Sequence, residues 1–500
     1  MKSRALLLTM ALGLCGCAVG PNYAPRSAAD LGVPEAWSVP ASPTSENLTR
    51  WWTNFDDPVL VQLVDQAAAG NLDLAQAVAR LRQAREALVI SRASFLPSLS
   101  GSGGVNRTET LRGGGTTVVL SDGTVTTTGN GGGSTSFSLG FDASYQADLF
   151  GGVRRSVEAS EAQYEASGYD YATALLSVES EVARNYMLAR AYQAQLANAQ
   201  ASLAIQDDNL QIARWRVQAG LVSSLDAEQA RTSRAQAAAA IPQIERQYNA
   251  AVSRIGVLTG QAPGALKPLL EKAEPIPVGP DTIGAGIPAN VLRQRPDVRA
   301  AERTLAAATA QIGVAEAQLY PALSIGGSLD TNAASFGNLF DTITGGLFAN
   351  LSQAIFNGGK LNAQVRSYRA ATDAAFAAYK QSVLTALEDV ENAVTALDSA
   401  RRREREYAVA YDAANNSAIL ARSQYRSGLT DFTTLNTQEA SLVSARNSLV
   451  QARADKAAAL IALYVALGGG WDSEVPPTKL PATTPGAPLS DTSGTHAEQG

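Results

Sequence analysis

The sequence predicts a mainly α-helical chain that also carries a membrane β-barrel portion, and three observations lead there. Long stretches place apolar residues every seven positions, two shorter regions alternate apolar and polar residues, and the whole arrangement occurs twice within 500 residues. A seven-residue repeat implies helices in a left-handed coiled coil, while period two implies strands with two unlike faces. Abundant alanine and few aromatics (6%) suit long, closely packed helices.

The duplication is the firmest of the three. The segment from Asn71 to Pro97 aligns without a gap against Arg295 to Pro321. Leu74, Ala77, Leu81, Ala84, Leu88 and Phe95 then stand opposite Val298, Ala301, Leu305, Ala308, Ile312 and Leu319. These positions step by three and four, a seam whose large and small side chains let helices approach closely. Each segment ends at a proline, Pro97 or Pro321, which stops a helix near the preceding residue. Further matches follow in order: Leu149 to Gly152 with Ile355 to Gly358, Ala219 to Leu221 with Ser427 to Leu429, and Leu258 to Gly260 with Leu467 to Gly469.

After each proline the period changes to two. From Ser136 to Leu149, Phe137, Leu139, Phe141, Ala143, Tyr145, Ala147 and Leu149 alternate with polar residues or glycine. Leu323, Ile325 and Leu329 alternate with Ser324, Gly326 and Asp330. Such strands are long enough to cross a bilayer when tilted, and a soluble amphipathic sheet is the alternative. The hairpins are expected at about 97–149 and 321–356, with less regular partner strands near Leu99 to Arg107 and Leu347 to Ile355. The first also holds a Gly/Thr-rich stretch, roughly Gly113 to Gly133, read as a long polar tip loop.

Long helical stretches come next. Ala189, Leu196, Leu203, Leu210 and Val217 recur every seven residues, and Val383, Leu387, Val390, Val394 and Leu397 step by three and four. Gly152 to Ala219 holds no proline, so a single helix there runs about 100 Å. Gly220 and Gly428 are expected to end the outgoing limbs as C-cap glycines. Return limbs follow, and Pro242 predicts a kink in the first. The run Arg401 to Arg405 reads as a solvated helix face. Gln261 to Pro288 holds six prolines and reads as an extended linker between copies. Four strands cannot close a barrel, and open edges are not tolerated in lipid, so several chains must pool theirs.

At the other end, Lys2 and Arg4 precede an uncharged apolar run, Ala5 to Leu14, the layout of a secretory signal. Leu14-Cys15-Gly16-Cys17 resembles a bacterial lipobox, in which cleavage leaves Cys17 as an acylated mature N-terminus. An ordinary signal with incidental cysteines is the alternative. Ala18, rather than Asp, follows Cys17, which by the same resemblance implies outer-membrane sorting. The expected organisation is a signal at 1–16, an anchored extended segment at 17–50, a first repeat at 51–260, the linker at 261–288, a second repeat at 289–470 and a disordered tail at 471–500.

Composition excludes several functions. The net charge of −6 offers no basic surface to nucleic acid. The lone histidine, His496, lies in the polar tail, and no Gly-rich phosphate loop, metal cluster or paired-carboxylate motif stands out. No catalytic residue, cofactor or metal is assigned, and the chain reads as no enzyme.

In order along the chain come Cys17, Val19-Gly20-Pro21-Asn22-Tyr23, Trp51-Trp52, Phe55-Asp56-Asp57-Pro58 with Leu60, Arg295-Pro296-Asp297-Val298 with Ala301-Glu302, and the doubled Gly-Leu turn. This ordered set resembles the TolC-like outer-membrane efflux factors, in the lipoprotein branch paired with resistance-nodulation-division pumps. The likeness covers nearly the whole mature chain. It implies a homotrimer whose strands form one twelve-stranded barrel, continuous with a periplasmic α-helical barrel, lipid-anchored in the outer membrane. It further implies a periplasmic adaptor and an inner-membrane pump as partners. The adaptor would dock at the turns Gly220-Leu221 and Gly428-Leu429. Acidic residues near those turns, Asp226 and Asp431, are the candidate gate; equally, Ser223 with Asp226 fits a capping box and Asp431 suits a helix N-terminus. Asn436, the third candidate gate residue, stands where the repeat is expected to place the counterpart of Asp226, so the ring on that side is expected to be weaker or shifted to Asp431. A protein-export conduit of the same architecture is the alternative reading, and a lipid-anchored coiled-coil adhesin is a more distant one.

Overall fold

A computed structural model of the chain describes residues 18–38, 48–109, 116–119, 125–128, 134–281, 283–284, 288–476 and 478–479. Cys17, His496 and the chain beyond 479 lie outside the described residues. The described residues form two compact units. The first comprises 18–24, Arg85–Ala162 and Leu305–Ala374; the second comprises Pro25–Ala84, Gln163–Thr304 and 375–479.

The first unit holds the sheet. Strands β1 (Ser98–Thr108), β4 (Ser134–Ala147), β5 (Ala322–Ala333) and β6 (Ile343–Ser352) pair antiparallel in the order β1-β4-β5-β6. The two hairpins are therefore joined side by side through β4 and β5, with Phe141 opposite Leu329 and Tyr145 opposite Ile325. Two findings depart from expectation. The Gly/Thr-rich stretch folds a small hairpin of its own, β2 (Thr116–Val119) on β3 (Val125–Thr128), because its Thr and Val are β-branched strand formers. Strand β6 also begins and ends earlier than expected, leaving Ile355 and Phe356 beyond it, each 91% exposed.

The helices follow the duplication closely. Helix α1 (Pro58–Gly70) and α2 (Leu72–Ala93) precede the first hairpin; α5 (Pro288–Gln294) and α6 (Pro296–Ala317) precede the second. Helix α3 (Gly152–Gln218) and its counterpart α7 (Lys360–Arg426) each contain 67 residues. The return limbs α4 (Ser224–Leu258) and α8 (Phe432–Ala466) each contain 35. Helix α4 continues through Pro242 to Leu258. Along α7 the buried seam reads Val383, Ala386, Val390, Ala393, Leu397 and Ala400, alternating large and small at heptad spacing.

Equal helix lengths correct the repeat alignment. The N-caps Ser223 and Asp431 correspond, so Thr434, not Asn436, stands opposite Asp226. At the far end Gly260 (φ 72°) corresponds to Gly468 (φ 76°), one residue earlier than motif matching implied.

The core of the second unit gathers the motif residues. Trp51 is fully buried, stacked on Tyr464 at 5.5 Å and edge-on to Trp52 and Phe55. Around them lie Leu60, Leu63 and Val64 of α1, Val182 and Tyr186 of α3, Ile255 of α4 and Leu460 and Ile461 of α8. Asp57 caps α1 by accepting from the amides of Val59 (2.8 Å) and Leu60 (2.9 Å). Arg295 donates to Asp297, Asp389 and the Ala466 carbonyl, tying the start of α6 to the end of α8. These motifs therefore build the scaffold. The basic run is not simply solvated either: Arg403 pairs with Asp455, and Glu404 with Lys456 and Arg453, joining α7 to α8. The described structure extends past Trp471, whose indole donates to the Gln294 carbonyl at 3.0 Å, so the residues directly after 470 do not form the disordered tail expected there.

Candidate functional site

The hairpin tips, in the second unit, are built by matching local chemistry. Gly220 (φ 69°) donates to the Val217 carbonyl and Leu221 to that of Arg216; Gly428 (φ 73°) donates to Tyr425 and Leu429 to Gln424. Both are Schellman ends in which glycine takes a backbone conformation other residues disfavour. In that motif the following apolar residue commonly folds back onto its helix. Here Leu221 and Leu429 instead point outward, 69% and 79% exposed.

Behind the turns, Leu210, Ala213, Ala230, Ala421, Tyr425, Phe432 and Leu435 form one small core shared by both hairpins. Arg216 lies over the Tyr425 ring at 4.7 Å and donates to its carbonyl at 3.2 Å. Arg422 and the buried Glu439 form a two-pronged ion pair between α7 and α8, one prong 2.8 Å long. Burial pushes the Tyr425 hydroxyl up; the Arg216 charge opposes this, and the charge of nearby Asp226 adds to it.

The two acids have different local roles. Asp431 caps α8, accepting from the Thr434 amide at 2.7 Å, and this bond holds its carboxyl below the usual range. Ser223, not Asp226, caps α4, accepting from the Leu225 amide at 3.2 Å. Among the described residues the half-exposed Asp226 carboxylate accepts no hydrogen bond. Asn436 lies in an open groove of about 610 Å³ lined by small residues of α8 and by Tyr407 and Ala410 of α7.

In the first unit, the residues that follow Cys17 are strapped down. The Val19 amide donates to the Phe150 carbonyl at 3.0 Å. Arg155, 4% exposed, donates to Val19 O (3.1 Å), Gly20 O (3.2 Å) and Asn22 Oδ1 (2.6 Å), with Glu158 balancing its charge. Gly20 lies so close to Gly313 that a Cβ would stand 2.4 Å from its Cα.

The sheet has two chemically distinct faces. Its odd-numbered residues include Leu99, Val105, Phe137, Leu139, Phe141, Tyr145, Leu323, Ile325, Leu329, Ile343, Leu347 and Leu351. Its even-numbered residues run mostly to Ser, Asn, Thr, Asp and Gly, with Asp142 and Asp330 near the middle. Strands of 10 to 14 residues suffice to cross the hydrocarbon layer of a bilayer.

Sequence reading missed the buried polar groups that hold the helices. Arg190, 1% exposed, donates to Tyr186, Gln193 and the Lys272 carbonyl, while Tyr186 donates to Asp57 at 2.6 Å. Glu179, 2% exposed, leaves Oε2 without a hydrogen-bond partner, and burial pushes its carboxyl well above the ordinary range. Nothing in a helical Glu or Arg marks it as buried when its neighbours lie far away in the chain. Among the described residues no His/Cys/Asp/Glu cluster could hold a metal, and no helix is long and apolar enough to cross a membrane.

Comparison with known proteins agrees with this architecture. Nodulation protein T of Rhizobium leguminosarum bv. trifolii is 32% identical over 92% of this chain and 96% of its own length. The pyoverdine export outer membrane protein OpmQ of Pseudomonas aeruginosa is 32% identical over 95% of this chain and 98% of its own. The solved outer-membrane channel OprN superposes with a TM-score of 0.80 at 32% identity, covering 91% of this chain and all (100%) of that one. Residues 63–261 and 287–469 match the family described as outer membrane efflux protein, so the chain belongs to that family of outer-membrane efflux channels.

Proposed function

We propose that three copies of this chain assemble into one conduit that carries cargo from an inner-membrane pump, through a periplasmic adaptor, across the outer membrane. The observation that carries the reading is the four-stranded sheet with β1 and β6 at its free edges. Bilayers do not tolerate unpaired strand edges, and each chain offers one edge at either end. Three copies, paired β6 to β1, close a barrel of twelve, with the odd apolar face toward lipid and the even polar face inward. The long α-helical hairpins form the periplasmic part of the conduit.

Within this conduit the exposed leucines of Gly220-Leu221 and Gly428-Leu429 supply the adaptor's footholds, apolar side chains held out to solvent on rigid glycine turns. Asp226 and Asp431, once per protomer each, supply the acidic aperture, with Asn436 further along α8. Asp226 is the stronger gate candidate because its carboxylate is free of local hydrogen bonds. Cys17 carries the acyl anchor, and the Arg155 strap fixes where that anchor leaves the protein. A conduit performs no bond chemistry. The pump that feeds it decides which cargo reaches it.

The test is direct. Protein purified in mild detergent is expected as a trimer that forms cation-preferring pores in planar bilayers, with Cys17 triply acylated by mass spectrometry. A monodisperse monomer with intact strands removes the shared barrel. An unmodified Cys17 in the mature protein removes the anchor alone.

A further inference from the structure

On the even, polar face of the sheet one residue does not belong. Phe348 of β6 stands in the row Ser98–Ser144–Gly326–Phe348, flanked by the rows Ser100–Asp142–Ser328–Gly346 and Gln146–Ser324–Asn350. No other even position on the four strands carries an apolar side chain larger than alanine. A ring among hydroxyls, amides and carboxylates needs a reason.

Its geometry supplies one. A Cβ placed on Gly326 would lie 2.3 Å from Cζ and 2.5 Å from Cε2 of Phe348, so the ring tip rests where any other residue's side chain would begin. The ring therefore lies along the wall, over the bare backbone of β5. In the single chain it is nonetheless 56% exposed, so Gly326 covers only part of it. Glycine opposite an aromatic residue is a known way to stabilise a weak strand position. Stabilisation alone does not require the ring on this face, since the odd face provides lipid for apolar groups. Placing it inward costs solvation of apolar surface in a water-filled bore.

We propose that Phe348 is a specificity-determining contact: an apolar landing on the polar wall of the bore, three per trimer, for the aromatic or apolar part of cationic amphiphilic cargo. The inference rests on the barrel reading above, which puts the even face inside. Asp142 and Asp330 share that face and draw the cationic end, while the flush ring receives the flat end by stacking or cation–π contact. Gly326 keeps the ring out of the stream. A larger residue there would lift it into the bore and narrow the path.

The probes are benzyltriethylammonium and tetraethylammonium, which share a charge and differ in one ring, applied to single trimers in planar bilayers. Residence of the benzyl ion is expected to exceed that of the ethyl ion in the native channel. Phe348→Ser should cut that ratio about two- to fivefold, the strength of an exposed aromatic–cation contact. Salt conductance should hold or rise slightly. Phe348→Trp should preserve the ratio, and Gly326→Val should lower salt conductance. An unchanged ratio in Phe348→Ser overturns the contact, leaving Phe348 as a filler for Gly326. Ser328→Cys separates the two levels of the argument: a charged thiol reagent must alter its conductance if the even face lines the bore. If the reagent has no effect, the barrel orientation itself is wrong and the contact falls with it.

Discussion

At Asp431 a careful substitution separates the observed helix cap from the proposed gate. Its carboxylate caps α8 through the Thr434 amide, and asparagine can make the same bond without the charge. Asp431→Asn should therefore keep the tip folded while weakening cation preference if the acid faces the ion path; Asp431→Ala should loosen the tip as well. Paired recordings and hydrogen exchange at Thr434 read the two effects apart. Glu179 is the opposite case, an acid held in the core with Asp65 as an unfavourable neighbour and Arg50 as a weaker favourable one. Its folded pKa lies above the unfolded value, so below the unfolded value it makes no pH-dependent difference. As pH rises from there toward the folded value, the unfolded chain releases its proton first and stability falls. Glu179→Gln should flatten that decline and raise the melting temperature at pH 8 more than at pH 4; an equal shift at both pH values would show that the carboxyl is not holding its proton. Arg155 offers a third test. Without its guanidinium, Val19 O, Gly20 O and Asn22 lose partners, at a local cost of about 3 kcal/mol. Arg155→Ala should speed exchange of the Val19 amide while leaving trimer yield unchanged.

At the scale of elements, parity governs the strands. Deleting one residue from the middle of β5, for instance Gly327, turns every later side chain to the opposite face and should abolish assembly. Deleting Gly327 together with Ser328 restores parity and should rescue part of it, as counted by trimer on a native gel. The same parity made the strands legible: Phe137 to Leu149 alternate without a break, and Leu323 to Leu329 nearly so. Strand β6 was harder to place because Gly345 and Gly346 carry no side chain to declare a face. The helical seams were legible for a similar reason, since Val383 to Leu397 repeat at heptad spacing. Of the candidate site, the Gly-Leu turns were readable because an αL glycine at a helix end has a local signature. The counterpart of Asp226 was misplaced because turn motifs align only loosely, whereas caps and helix lengths fix the register. Arg155 and Arg190 were invisible because their partners sit far along the chain, at Asn22 and Lys272 among others. Pairing across such distances leaves no local pattern.

For the whole molecule, the proposed assembly rests on the free edges of β1 and β6. Prolines at both Gly345 and Gly346, adjacent positions whose amides face opposite ways, remove at least one edge donor. The double variant should elute as a monomer with helical circular dichroism largely retained; a persistent trimer would mean that the chains associate through something other than strand pairing. The matching lengths of α3 with α7, and of α4 with α8, carry a consequence for descent. Two limbs that arose by duplication are free to drift in sequence, as Ser223 and Asp431 have done at the same cap. They are not free to drift in length, because an added turn in one hairpin would leave its tip standing proud of the other and strand the small core they share. Insertions accepted by one half should therefore be inherited as pairs, each matched by a change of the same number of residues in its twin. Single-sided changes should collect in the loop that holds β2 and β3, where the two halves already differ.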